Sequence, residues 1–100
     1  MAVLLFVAAT PHALAGNTSD AEALEIVQKH CVMCHADKPT HESFQEAPKK
    51  ITLEAVADLI KYAAAIYAQT VRTKAMPLGN QTGMTDDERA IIGQWLKDLP

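Results

Sequence analysis

The run Cys31-Val32-Met33-Cys34-His35 constrains this chain more than any other feature. Two cysteines separated by two residues, with a histidine directly after, form the C-x-x-C-H signature of covalent c-type haem attachment. The spacing has a physical reason. On a helical segment, residues three apart share a face, so two sulfurs can reach two neighbouring vinyl groups. His35 follows at once and can set its imidazole under the iron. A neutral imidazole is a good ligand for haem iron, and two thioethers keep the macrocycle from dissociating.

Three other chemistries use the same residues. A redox-active C-x-x-C pair calls for a βαβ pattern, and none is visible. Zinc held by Cys31, Cys34, His35 and His41 lacks the regularly spaced second ligand pair of structural zinc sites. A Cys31–Cys34 disulfide closes so short a loop that it gains little.

One hundred residues make one domain, and a chain this small often needs a staple. A flat apolar cofactor bonded to the chain supplies one. The net charge is −3 and the sequence pI about 5.7, which leaves no basic footprint for nucleic acid. Residues 1–15 read as an apolar leader and residues 16–100 as the domain. The run Met1 to Ala9 is too short to span a bilayer as a helix. It suits either a signal-peptide core, with Ala13-Leu14-Ala15 as a cleavage site, or the end of a membrane helix. Both readings place the rest of the chain in the periplasm or on the periplasmic face of the inner membrane. Membrane association through the N-terminus is then open.

Within the domain the pattern is all-α. Ser19 and Glu22 form a capping box that starts a helix near Asp20, with Ala23, Val27 and Cys31 on one stripe. From Ala36 to Lys50 the periodicity disappears, and Pro39 and Pro48 punctuate a loop in which Phe44 needs an apolar partner. The Pro39 carbonyl is a candidate acceptor for His35 Nδ1–H. Thr52 is a candidate N-cap, with Glu54 in the first turn of a helix running to about Lys74, straight or bent near Ala63 to Ala65. Pro77 ends helicity and an irregular loop follows. Thr85 and Glu88 cap a last helix whose apolar face is Ile91, Ile92, Trp95, Leu96 and Leu99. Gly93 marks a close helix–helix contact within it.

A haem iron held by one histidine has a second axial position. Met33 lies on the same side of the ring as His35, which leaves Met76 and Met84. Met76 stands in a loop that Pro77 holds extended, remote in sequence from His35. Met84 directly precedes the Thr85 cap, where a hydrophobic staple packs onto its own helix. The expected distal ligand is Met76.

Taken with the Met-Pro loop and the capped terminal helix bearing Trp95, the motif resembles class I cytochrome c domains. The segments Cys31 to Ala36 with Pro39-Thr40-His41, and Ala75 to Asn80 with Thr82 to Thr85, narrow the likeness. They are similar to the C-terminal cytochrome c domains of bacterial membrane-bound urate oxidases. The resemblance covers roughly Ala21 to Leu99. It implies a small fold of three to five helices around one covalent haem c, with the first and last helices crossing. Cys31 and Cys34 then attach the haem, His35 is the proximal ligand and Met76 the distal one, and Asn80 is placed to hydrogen-bond near the methionine sulfur. In that family a multi-helix membrane region oxidises urate and the cytochrome domain passes electrons onward. The sequence carries at most a fragment of such a region in Met1 to Ala9, so no urate site transfers to it.

The function expected is one-electron transfer, with a redox protein or an attached membrane oxidase domain as partner. The alternatives are a free periplasmic carrier, or a haem enzyme or sensor whose sixth position is open. Lys29, Lys38, Lys49, Lys50, Arg72 and Lys74 are candidates for a basic rim that steers an acidic partner.

Overall fold

A computed structural model describes residues 18–100, and residues 1–15, read above as an apolar leader, lie outside them. The first helix, α1 (Asp20–His30), begins where Ser19 and Glu22 place it. Glu22 N–H donates to Ser19 Oγ at 3.1 Å, and Ser19 N–H donates back to Glu22 Oε1 at 3.1 Å. This reciprocal pair satisfies two amides that a helix start otherwise leaves without acceptors. Ala23, Val27 and His30 fall on the buried face.

The second helical region starts later than Thr52 and without its hydroxyl. Glu54 N–H and Ala55 N–H both donate to Asp58 Oδ2, at 2.9 and 3.1 Å, and α2 is Val56–Lys61. Glu54 therefore precedes the helix, and its carboxylate accepts the Asp37 N–H instead. Tyr62 interrupts the helix with φ −106° and ψ 23°, and α3 (Ala63–Ile66) follows. The bend foreseen near the alanines thus falls one residue before them. α3 runs on into a π-helical stretch, Tyr67–Arg72, whose end is fixed by Thr73: both its N–H and its Oγ donate to the Ala68 carbonyl. Two carbonyls of this stretch accept from beyond it: Gln69 O from the Met76 N–H and Thr70 O from Arg89 Nη1.

The last helix, α4 (Asp86–Lys97), is capped by Thr85 and Glu88 as the sequence requires. Polar contacts at both ends bind it to α1. Trp95 Nε1–H donates to Asp20 Oδ1 at 2.9 Å, and Glu88 meets Lys29 and His30 at the other end. Gly93 lets the π-helical stretch come close: a β-carbon there would meet both methyls of Val71 at 3.4 Å. The core is formed by Ala23, Val27, Leu53, Leu59, Ile66, Met84, Ile92, Trp95 and Leu96. Leu59 is fully buried, which is worth about 1.5–3 kcal/mol against an exposed leucine. The fold is all-α: helices and helical turns are the only regular elements among the described residues. No helix among them is long and apolar enough to cross a membrane.

Candidate functional site

The Cys31–His35 run begins where α1 stops. Cys31 is the C-cap, and its N–H still reaches Val27 O at 2.8 Å. The next turn closes on Cys31 itself, whose carbonyl accepts from Cys34 N–H at 3.2 Å and His35 N–H at 2.8 Å. The motif is thus one tight turn beyond the helix, not a continuation of it. The Met33 carbonyl then accepts the Thr40 and His41 amides, which folds the following loop back over the turn.

Cys31, Cys34 and His35 all face a cleft of about 370 Å³. His35 is held from both sides by one extended segment. Its Nδ1 lies 2.8 Å from the Ile51 carbonyl, and its own carbonyl accepts the Leu53 N–H at 2.7 Å. A carbonyl only accepts, so Nδ1 carries the proton and Nε2 keeps the lone pair. The acceptor is Ile51 and not Pro39, because the strap at residues 51–53 runs alongside the histidine. Sequence reading missed this, since any residue supplies a carbonyl.

A further part of the lining comes from the loop after the π-helical stretch. Met76, Pro77 and Leu78 supply it. Both backbone polar groups of Met76 are engaged: its N–H donates to Gln69 O at 2.9 Å, and its carbonyl accepts from Arg89 Nη1 at 2.9 Å. Met84 is 5% exposed and belongs to the core, away from the cleft. Asn80 does not serve the Met76 sulfur. Its side chain accepts from Met84 N–H at 2.9 Å and donates to Met84 O at 3.2 Å, and so holds the loop's own turn.

Phe44 and Pro48 close one side of the cleft, with the Phe44 ring 5.6 Å from that of His41. His41 Nδ1 accepts the Ser43 N–H, so Nε2 is the protonated nitrogen and points to Gln81 Oε1 at 3.3 Å. His41 joins the two rims and presents no lone pair to the cleft. At the back, His30 is 2% exposed, with Nε2 2.9 Å from Glu88 Oε1 and Nδ1 2.7 Å from Thr82 Oγ. Glu88 is partly buried, which alone would raise its pKa. The Thr85 N–H, His30 and Lys29 outweigh that and hold it down to about 2. His30 and Arg89 are the two residues the sequence reading overlooked. The register contained both: His30 continues the Ala23, Val27 stripe, and Arg89 sits three and four residues before buried Ile92 and Gly93.

The thiols are not built for thiolate chemistry. Burial pushes Cys31 up to about 12, with the Cys34 thiol adding to it, and burial raises Cys34 too. Redox-active cysteines need the opposite, typically at a helix N-terminus, whereas this pair follows a C-terminus. No group of three His, Cys, Asp or Glu side chains among the described residues converges to hold a metal ion. A largely apolar cleft of this size lies within the range of roughly 300–1,000 Å³ usual for cofactor sites. Its lining includes two thiols, an imidazole with its Nε2 lone pair available and the Met76 thioether. That donor set fits a haem.

Of the proposed basic rim, Lys29 pairs with Glu88 at 3.4 Å and Lys74 with Asp86 at 3.8 Å. Lys38, Lys49, Lys50 and Arg72 form no ion pair among the described residues. A scan of protein-family models gives no match to this chain, and neither do searches of curated proteins and of solved structures.

Proposed function

We propose that this chain is a monohaem c-type cytochrome domain of class I type that transfers one electron at a time. The observation that carries the reading is the 2.8 Å contact between His35 Nδ1 and the Ile51 carbonyl. Metal-ligating histidines almost always donate the other ring N–H to a fixed acceptor, which sets the tautomer and raises basicity. Here that acceptor holds the histidine of a C-x-x-C-H motif in an apolar cleft. Cys31 and Cys34 would each add S–H across a vinyl double bond, with a carbon–sulfur bond formed and the hydrogen retained on the vinyl carbon. His35 would be the proximal ligand and Met76 the distal one. When bound, haem c supplies a ferric/ferrous couple, and a thioether opposite an imidazole favours the ferrous state.

A haem held by both His35 and Met76 would exchange electrons without binding a substrate at iron. This favours a carrier, or the electron-accepting domain of a membrane-bound urate oxidase, working in the periplasm with a redox protein or attached oxidase domain. A redox titration of the purified holoprotein should give one reversible one-electron couple, and its reduced form should bind carbon monoxide slowly. Rapid carbon monoxide binding would instead indicate an open sixth position and an enzyme or sensor.

A further inference from the structure

Arg89 is 7% exposed and forms no ion pair among the described residues. It also stands in the first turns of α4, where the helix dipole disfavours a cation. A buried charge at such a place is costly unless its donors are satisfied. Its hydrogen-bond partners gather around one residue. Nη1 donates to Thr70 O at 2.7 Å and to Met76 O at 2.9 Å, and Nη2 lies 3.5 Å from Asn80 Oδ1. Thr70 is in the π-helical stretch before the loop, and Asn80 is in the turn after Met76. A leucine or methionine would fill the same space without the charge, so packing alone does not account for an arginine.

We propose that Arg89 is a positioning residue that fixes Met76 against the cleft, through Nη1, which bridges the Thr70 carbonyl of the π-helical stretch and the Met76 carbonyl. This rests on the reading of Met76 as distal ligand. Gln69 holds the Met76 N–H from the other side, so the thioether is presented by a backbone clamped at both polar groups. Lysine, whose flexible stem carries no planar group to fix the direction of its donors, would hold the two carbonyls less rigidly.

The test compares native holoprotein with Arg89→Met and Arg89→Lys. Three quantities are followed: the ferric sulfur-to-iron charge-transfer band, the rate of carbon monoxide binding to the reduced form, and hydrogen exchange at the Met76 amide. Loss of a charge-assisted hydrogen bond should raise the fraction with an open sixth position on the order of tenfold. Arg89→Met should therefore weaken the band, speed carbon monoxide binding and expose the Met76 amide, with Arg89→Lys between it and native. A merely structural arginine would lower the melting temperature and leave all three unmoved, and that result overturns the proposal. Absence of the band in native protein would instead refute Met76 ligation itself, and the proposal with it. If Arg89→Met does not fold, Arg89→Lys decides by the same readouts: a more exposed Met76 amide supports the clamp, and an unchanged one overturns it.

Discussion

At the scale of single residues, Met76 and Met84 separate by what surrounds them. Met76 is half-buried and lines the cleft that also holds the two thiols, whereas Met84 is packed among the core side chains. Met76→Ala in holoprotein should abolish the ferric charge-transfer band and lower the midpoint potential, because a harder donor replaces the thioether. Met84→Ala should keep both and cost about 2–5 kcal/mol of stability in urea unfolding, the usual range for truncating a buried methionine. Loss of the band in Met84→Ala alone would reverse the assignment. The motif, its histidine and this methionine could be picked out in the sequence as candidates from residue identity and spacing, and the structure brings them to one cleft. The Ile51 carbonyl could not be, since a backbone acceptor leaves no trace in residue type.

The elements divide in the same way. Both capping boxes could be read from four-residue patterns, and both stand. The start of α2 could not, because Asp58 reaches back to two amides that Thr52 was expected to serve. The positive φ angles of Lys49, Lys50 and Lys74 were equally hidden: lysine has no preference that signals them. Thr85→Ala should destabilise α4 by about 1 kcal/mol in chemical unfolding, as N-cap removal does elsewhere. Glu88 adds a pH dependence. Its folded pKa of about 2 lies below the ordinary 4.5, so its contribution is complete above pH 4.5 and lost as pH falls toward 2. Glu88→Gln should thus lower stability at pH 7, and the gap to native should narrow through that acid window in urea titrations. Equal gaps at pH 7 and pH 3 would contradict it. Gly93→Leu should destabilise by about 1–3 kcal/mol, because the larger side chain meets Val71 across the helix contact.

Over the whole molecule, the cleft is assembled from segments far apart in the chain. The turn after α1 supplies thiols and imidazole, the strap at residues 51–53 orients His35, and the loop at residues 76–78 adds to the lining. The first turn of α4 then holds both walls through neighbours, Glu88 reaching back to His30 and Arg89 forward to Met76. Periodicity gave the helices singly and the motif marked one wall. Which buried polar residues would join the walls depended on tertiary contacts across 58 and 13 positions. The account rests on the two thiols being consumed by the cofactor, and one measurement addresses that directly. Mature protein purified from cells competent to assemble c-type cytochromes is denatured and extracted with acidified organic solvent. The haem should stay with the polypeptide, and its loss in Cys31→Ser/Cys34→Ser should be complete. Haem that partitions entirely into the solvent from the native sequence would contradict covalent attachment.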